Sequence, residues 1–118
     1  MMMDKVKEYT SKFPFGLEEF TASLSCKTSL AIVYLLYEKG ELDKDEIIQQ
    51  FGEIDVHDEV LINASIRNLS NYGIIARTKS KMIGTEVISK FKINNIYRRL
   101  LDSCIEVLEV LRIKRDDN

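Results

Sequence analysis

The hydrophobic period of this chain changes twice between Tyr72 and Ile96, and no other feature limits its possible folds so tightly. Ahead of the change, Ile62, Ile66 and Leu69 recur at helical spacing and end at Tyr72-Gly73. Within it, Ile75 to Ser80 and Thr85 to Ile93 read as two strands joined by a turn at Lys81-Met82-Ile83-Gly84. Beyond it, Asn94 or Asn95 can cap a final helix from Ile96 to about Lys114. With 118 residues and 45% apolar content, the chain has room for one compact core. The expected class is mainly α, of the α+β kind, with a single hairpin enclosed by helices.

Upstream, Val6, Tyr9 and Phe13 suggest a short helix that stops at Phe13-Pro14-Phe15-Gly16. Leu17, Phe20 and Leu24 give a second short stripe. After Ser25 or Thr28 a stronger helix runs through Leu30, Ile32, Val33, Leu35 and Leu36 to Tyr37, and Gly40 ends it. Asp43 with Glu46 three residues on has capping-box spacing and opens a brief helix through Ile47, Ile48 and Phe51, stopped by Gly52. A polar break from Glu53 to His57 precedes the helix of Ile62 to Leu69. These elements divide the chain into an extension or short helix over 1–16, a central domain over 17–93, and a closing helix over 94–118.

The closing helix is apolar over too wide an arc to serve one core. Ile96, Leu100, Cys104, Val107 and Leu111 form one row, and Tyr97, Leu101, Ile105 and Leu108 form the next. The expected second partner is another copy of the chain, with Ile96, Tyr97, Leu100, Leu101, Cys104, Ile105, Leu108 and Leu111 at a homodimer interface.

Several functions are disfavoured. No apolar stretch reaches the roughly 18 residues that span a bilayer, and the start lacks a secretory pattern, so a cytoplasmic protein is expected. Cys26 and Cys104 are far apart and His57 is the single histidine, so no metal-ligand spacing is present and no metal or cofactor is expected. Both cysteines fall in apolar-periodic stretches and read first as small buried hydrophobes; a redox thiol, or a bridge across a dimer seam through Cys104, is the alternative. His57 lies between Asp55 and Asp58 with no nearby serine or cysteine nucleophile, and the five glycines form no phosphate loop, so the chain does not read as an enzyme.

Charge is unevenly placed. Residues 67–99 carry Arg67, Arg77, Lys79, Lys81, Lys90, Lys92, Arg98 and Arg99 against the single acid Glu86, a local +7 in a chain of net charge −2. Arg77 with Lys79, and Lys90 with Lys92, lie two apart and are expected to share one side of their strands. A basic hairpin of this kind suits phosphate neutralisation on duplex DNA.

Helix, short helix, second helix, two-stranded hairpin and closing helix is the order of a winged helix-turn-helix domain. The run Leu24-Ser25-Cys26-Lys27-Thr28-Ser29-Leu30-Ala31-Ile32-Val33-Tyr34-Leu35-Leu36, then Gly40-Glu41-Leu42-Asp43, Glu46-Ile47, Ile66-Arg67-Asn68-Leu69 and Tyr72-Gly73-Ile74-Ile75, resembles the skeleton of ArsR-type and related archaeal and bacterial dimeric transcription regulators. The likeness covers roughly residues 20 to 93. It implies a DNA-binding helix containing Ile62 to Leu69, with the hairpin as a wing beside the groove. The cysteine pair of metal-sensing members is absent, so metal sensing is not carried over. The helix also begins Asp58-Glu59-Val60-Leu61, where carboxylates suit the helix dipole but repel phosphate.

With Ile62, Ile66 and Leu69 inward, Ala64, Ser65, Arg67, Asn68 and Asn71 fall on or near the outer arc. Asn68 could pair with adenine, Arg67 with guanine or phosphate, and Ala64 or Leu61 could touch a thymine methyl. Arg77, Lys79, Lys81, Lys90 and Lys92 are the candidate phosphate contacts; Met82 and Ile83 at the wing tip could form a minor-groove wedge or a protein contact, and Tyr97 a DNA or dimer contact. The reading is a dimeric DNA-binding transcription regulator. Its alternatives are a winged-helix module that binds another protein, which the acidic helix start favours, and a sequence-independent architectural DNA binder.

Overall fold

A computed structural model describes residues 1–12 and 17–116. In chain order the elements are α1 (Met2–Thr10), α2 (Leu17–Ser25), α3 (Lys27–Lys39), β1 (Leu42–Asp43), α4 (Lys44–Phe51), α5 (Val56–Asn71), β2 (Ile75–Ile83), β3 (Glu86–Ile93) and α6 (Asn95–Asp116). The expected break at Phe13-Pro14-Phe15-Gly16 lies outside the described residues. The core gathers one face from each central element: Ile32, Val33 and Leu36 of α3, Ile47 of α4, Ile62, Ile66 and Leu69 of α5, Ile75 of β2, and Phe91 and Ile93 of β3 are all buried. Their spacing follows the helical and strand periods, which is why these segments adopt these conformations once collapsed together.

Local signals set the element ends. Gly40 takes φ +91 at the end of α3, a conformation that side chains bearing a Cβ rarely adopt, and its N–H donates to the Leu36 carbonyl at 2.9 Å. The expected capping box opens α4: the Asp43 carboxylate accepts from the Glu46 N–H at 2.8 Å, and the Glu46 carboxylate accepts from the Asp43 N–H at 3.1 Å. A second box opens α5. There Asp55 accepts from the Asp58 N–H at 2.8 Å and Asp58 accepts from the Asp55 N–H at 3.2 Å. The helix therefore starts at Val56, inside the segment read as a polar break.

The sheet has three antiparallel strands in the order β1-β3-β2. The two-residue β1 pairs Leu42 with Phe91 and Asp43 with Lys90, an edge the strand period did not reveal. The hairpin is longer than expected. Met82 and Ile83 belong to β2, opposite Val87 and Glu86, and the turn is Gly84-Thr85, with Gly84 at φ +65 as two-residue hairpin loops require.

The closing helix is 22 residues long and is anchored only at its start. Asn94 caps it, its side-chain oxygen accepting from the Ile96 N–H at 3.1 Å. Tyr97 stacks on Phe20 with ring centroids 5.4 Å apart, and Leu101 packs against the core. The Arg98 guanidinium lies 4.7 Å from the centroid of the Tyr37 ring and donates to the Tyr37 carbonyl at 3.1 Å, while the Tyr37 hydroxyl donates to Asp102. From Ser103 to Asp116 every residue is exposed. No helix among the described residues is long and apolar enough to cross a membrane.

Candidate nucleic-acid interface

The outward face of α5 follows from its inward one. Ser65 is 5% exposed and sits among Ile62, Ile66 and Leu69, so the helix turns it into the core. This removes Ser65 from the outer arc expected for it: three residues after Ile62 and four before Leu69, it shares their side of a 3.6-residue helix. Opposite these residues runs a stripe of Val56, Val60, Ala64, Arg67 and Asn71, spaced four, four, three and four apart. Arg67 and Asn71 are exposed and Ala64 is half-buried; Asn68 is exposed toward the flank of the stripe.

Beside the C-terminal half of this stripe, a cleft of about 390 Å³ separates α5 from the hairpin base. Lys44, Arg67 and Arg77 bring three cations to it, with Asn63, Ser70 and Asn71 as neutral polar neighbours. Lys44 bridges from α4 to Glu59 in the first turn of α5, Nζ to Oε1 at 3.6 Å. That pair, with the capping box, engages all three carboxylates at the start of α5: Asp55 and Asp58 hold backbone N–H groups and Glu59 faces a lysine. The acidic start is thus largely a structural device of the helix terminus.

The hairpin presents cations on both faces, in a pattern different from the one expected. Residues directly opposite across antiparallel strands share a face. Lys79 is opposite Lys90, with Lys81 two residues along β2 and Lys92 two residues along β3, so these four lysines share one face. Arg77 is opposite Phe91 and so lies on the other face, the one turned to the core and to α5. A register shift between Arg77 and Lys79 causes the separation: Thr78 is an extra residue, its hydroxyl buried without a hydrogen-bond partner, and each later residue of β2 changes sides. The expectation that Arg77 and Lys79 point the same way is therefore corrected. Lys90 also has an acidic neighbour, its Nζ being 3.6 Å from Glu46 Oε1.

Among the residues assigned to a dimer seam, Ile96, Leu100, Cys104, Ile105, Leu108 and Leu111 are exposed. Tyr97 and Leu101 are half-buried against the chain's own core, which leaves them little surface to offer a partner. Neither cysteine is buried, contrary to the first reading of both. Cys26 is the N-cap residue of α3, and hydrogen bonding from the Ser29 backbone and hydroxyl lowers its thiol below the usual range. Among the described residues no group of three or more histidine, cysteine, aspartate or glutamate side chains could hold a metal ion.

Reasoning from sequence missed Val56, Val60, Asn63 and Lys44 as members of this surface. The available signal was Asp55: taken as an N-cap, it carries the helix back to Val56 and makes the whole stripe countable.

No family model and no curated protein matches the sequence. Among solved structures, the crystal structure of an ArsR family transcriptional regulator superposes with a TM-score of 0.55, covering 85% of this chain and 93% of that one at 16% sequence identity. At that identity the likeness shows the fold, a winged helix with a C-terminal helix appended.

Proposed function

We propose that this winged-helix protein binds duplex DNA as a homodimer and regulates transcription. The observation that carries the reading is the convergence of Lys44, Arg67 and Arg77 on one cleft beside the outer stripe of α5. With α5 in the major groove, that cleft meets the phosphates on the groove's rim, where cations supply affinity without sequence information. Asn68 and Asn71 have the donor and acceptor pair that adenine presents, and Arg67 reaches either guanine or phosphate. Lys79, Lys81, Lys90 and Lys92, on the far face of the wing, extend the positive surface toward flanking duplex. Ala64 approaches the bases as a methyl group.

A second copy serves two purposes in this reading. It covers the apolar arc of α6, where Leu108 and Leu111 stand 63% and 55% exposed, and it doubles the number of phosphate contacts. The wing and α5 would then be displayed twice, one copy for each half-site.

Fluorescence anisotropy with a duplex of random sequence, titrated across salt, tests the DNA reading. A steep linear fall of log affinity with log salt is the expected result, and it should be shallower for the double charge reversal Arg67→Glu with Arg77→Glu. Absence of binding even at low salt would overturn the reading and favour a protein partner for the same fold.

A further inference from the structure

The outer stripe of α5 has two chemically different halves. Its C-terminal half carries Arg67 and Asn71; its N-terminal half carries Val56, Val60 and Ala64, with Val56 79% and Val60 58% exposed. Two β-branched hydrophobes held in water on the first two turns of a helix gain nothing from the chain's own core. Of the polar groups nearby, Asp55 and Asp58 each accept from a backbone N–H, at 2.8 and 3.2 Å, Glu59 faces Lys44 at 3.6 Å, and His57 is exposed beside Val56. What Val56 and Val60 themselves offer a ligand is methyl groups.

In the major groove each base pair shows donors and acceptors, and only thymine also shows a methyl. The N-terminal residues of a recognition helix are those that reach base edges. A helix whose leading residues are apolar gains contact energy from the thymine methyl, while the polar edges of A·T and G·C pairs alike are desolvated without their hydrogen bonds being replaced, so the methyl is what favours A·T. Resting on the DNA-binding reading above, we infer that Val56 and Val60, with Ala64 behind them, read the 5-methyl groups of thymine, so that the preferred half-site is rich in A·T pairs where the start of α5 enters the groove. The cationic cleft of Lys44, Arg67 and Arg77 then fixes the approach from one side.

Deoxyuridine differs from thymidine only by that methyl, which makes the test direct. Full-length protein is titrated against three duplexes of about 30 base pairs, long enough for two half-sites: a mixed A/T sequence, the same sequence with every dT replaced by dU, and a G/C sequence. The expected order is dT tightest, with dU weaker by about fourfold for each methyl buried, and G/C, which also lacks the methyl, weaker than dT. Val56→Ser with Val60→Ser, at exposed positions that leave the core untouched, should remove most of the difference between dT and dU, leaving what Ala64 reads, while binding stays salt-dependent. Equal, salt-dependent affinity of the unaltered protein for the dT and dU duplexes would overturn the methyl reading and leave DNA binding in place. A dT preference that survives the double substitution undiminished would overturn the assignment to Val56 and Val60. No binding to any duplex at low salt would overturn both readings together.

Discussion

The first two turns of α6 and the four that follow are one continuous helix with opposite situations. In the first part Tyr97 stacks on Phe20, Arg98 covers the Tyr37 ring, Leu101 meets the core and Asp102 accepts from the Tyr37 hydroxyl. In the second part Ile105, Val107, Leu108, Val110, Leu111 and Ile113 are all exposed, and Arg112 pairs with Glu109 at 2.9 Å on the surface. Both parts are rich in apolar residues, so hydrophobicity along the sequence does not distinguish them. What distinguishes them is reach: at 1.5 Å per residue the helix outruns a core that only its beginning can touch. The first part holds the fold together, and the second, in our reading, holds two folds to one another.

The largest effect expected from that division is on the projecting part. Leu108→Glu should raise the dissociation constant of the dimer by about a hundredfold or more, because a carboxylate would be buried without a partner in an apolar seam. The monomer should keep its helical circular dichroism and its melting transition. Sedimentation velocity over a concentration series reads the change, and a variant that stays dimeric at low micromolar concentration would remove Leu108 from the seam. Leu111→Glu serves as an independent check one turn on.

How much of this was legible beforehand depended on which part of the chain was being read. The capping box at Asp43 and Glu46 matches the preferred acidic pattern and was found; the one at Asp55 and Asp58 uses aspartate at its third helical position, and the shorter side chain disguised a helix start as a polar loop. The inward row of α5 was legible because isoleucine and leucine mark it, but Ser65 shares that row and a hydroxyl gives no hydrophobic signal. The strands were legible from their alternation. The extra residue at Thr78 was not, because a period of two has no means of registering an insertion, and so Arg77 was assigned to the wrong face. The surface exposure of Cys26 follows from its place as the N-cap of α3, one residue before the helix begins and ahead of its buried residues Ser29, Ile32, Val33 and Leu36.

A smaller effect is expected from the anchored part of α6. Leu101→Ala removes a half-buried side chain that packs on the core, and should lower the folding stability of each subunit by about 1–2 kcal/mol, below the range for fully buried leucines. Urea denaturation of the Leu108→Glu monomer with and without Leu101→Ala isolates this term from association. Loss of dimer without loss of subunit stability would reverse the roles assigned to the two parts.

The smallest expected effect lies in the pH dependence of the same anchor. The Tyr37 hydroxyl donates to Asp102, and this hydrogen bond, together with burial and the nearby carboxylate charge, holds the phenol above its usual ionisation range. Because the folded chain favours neutral Tyr37, the contribution is complete below the ordinary tyrosine value of about 10 and is lost as pH rises above it, where the unfolded chain ionises first. Tyr37→Phe lacks the ionisable hydroxyl. Its urea midpoint should therefore fall less steeply than that of the unaltered protein above about pH 10, and the two should run parallel near neutrality. Parallel curves through the alkaline range would show that Asp102 does not hold this proton, leaving Arg98, through the ring and the carbonyl of Tyr37, as the polar anchor of α6 on α3.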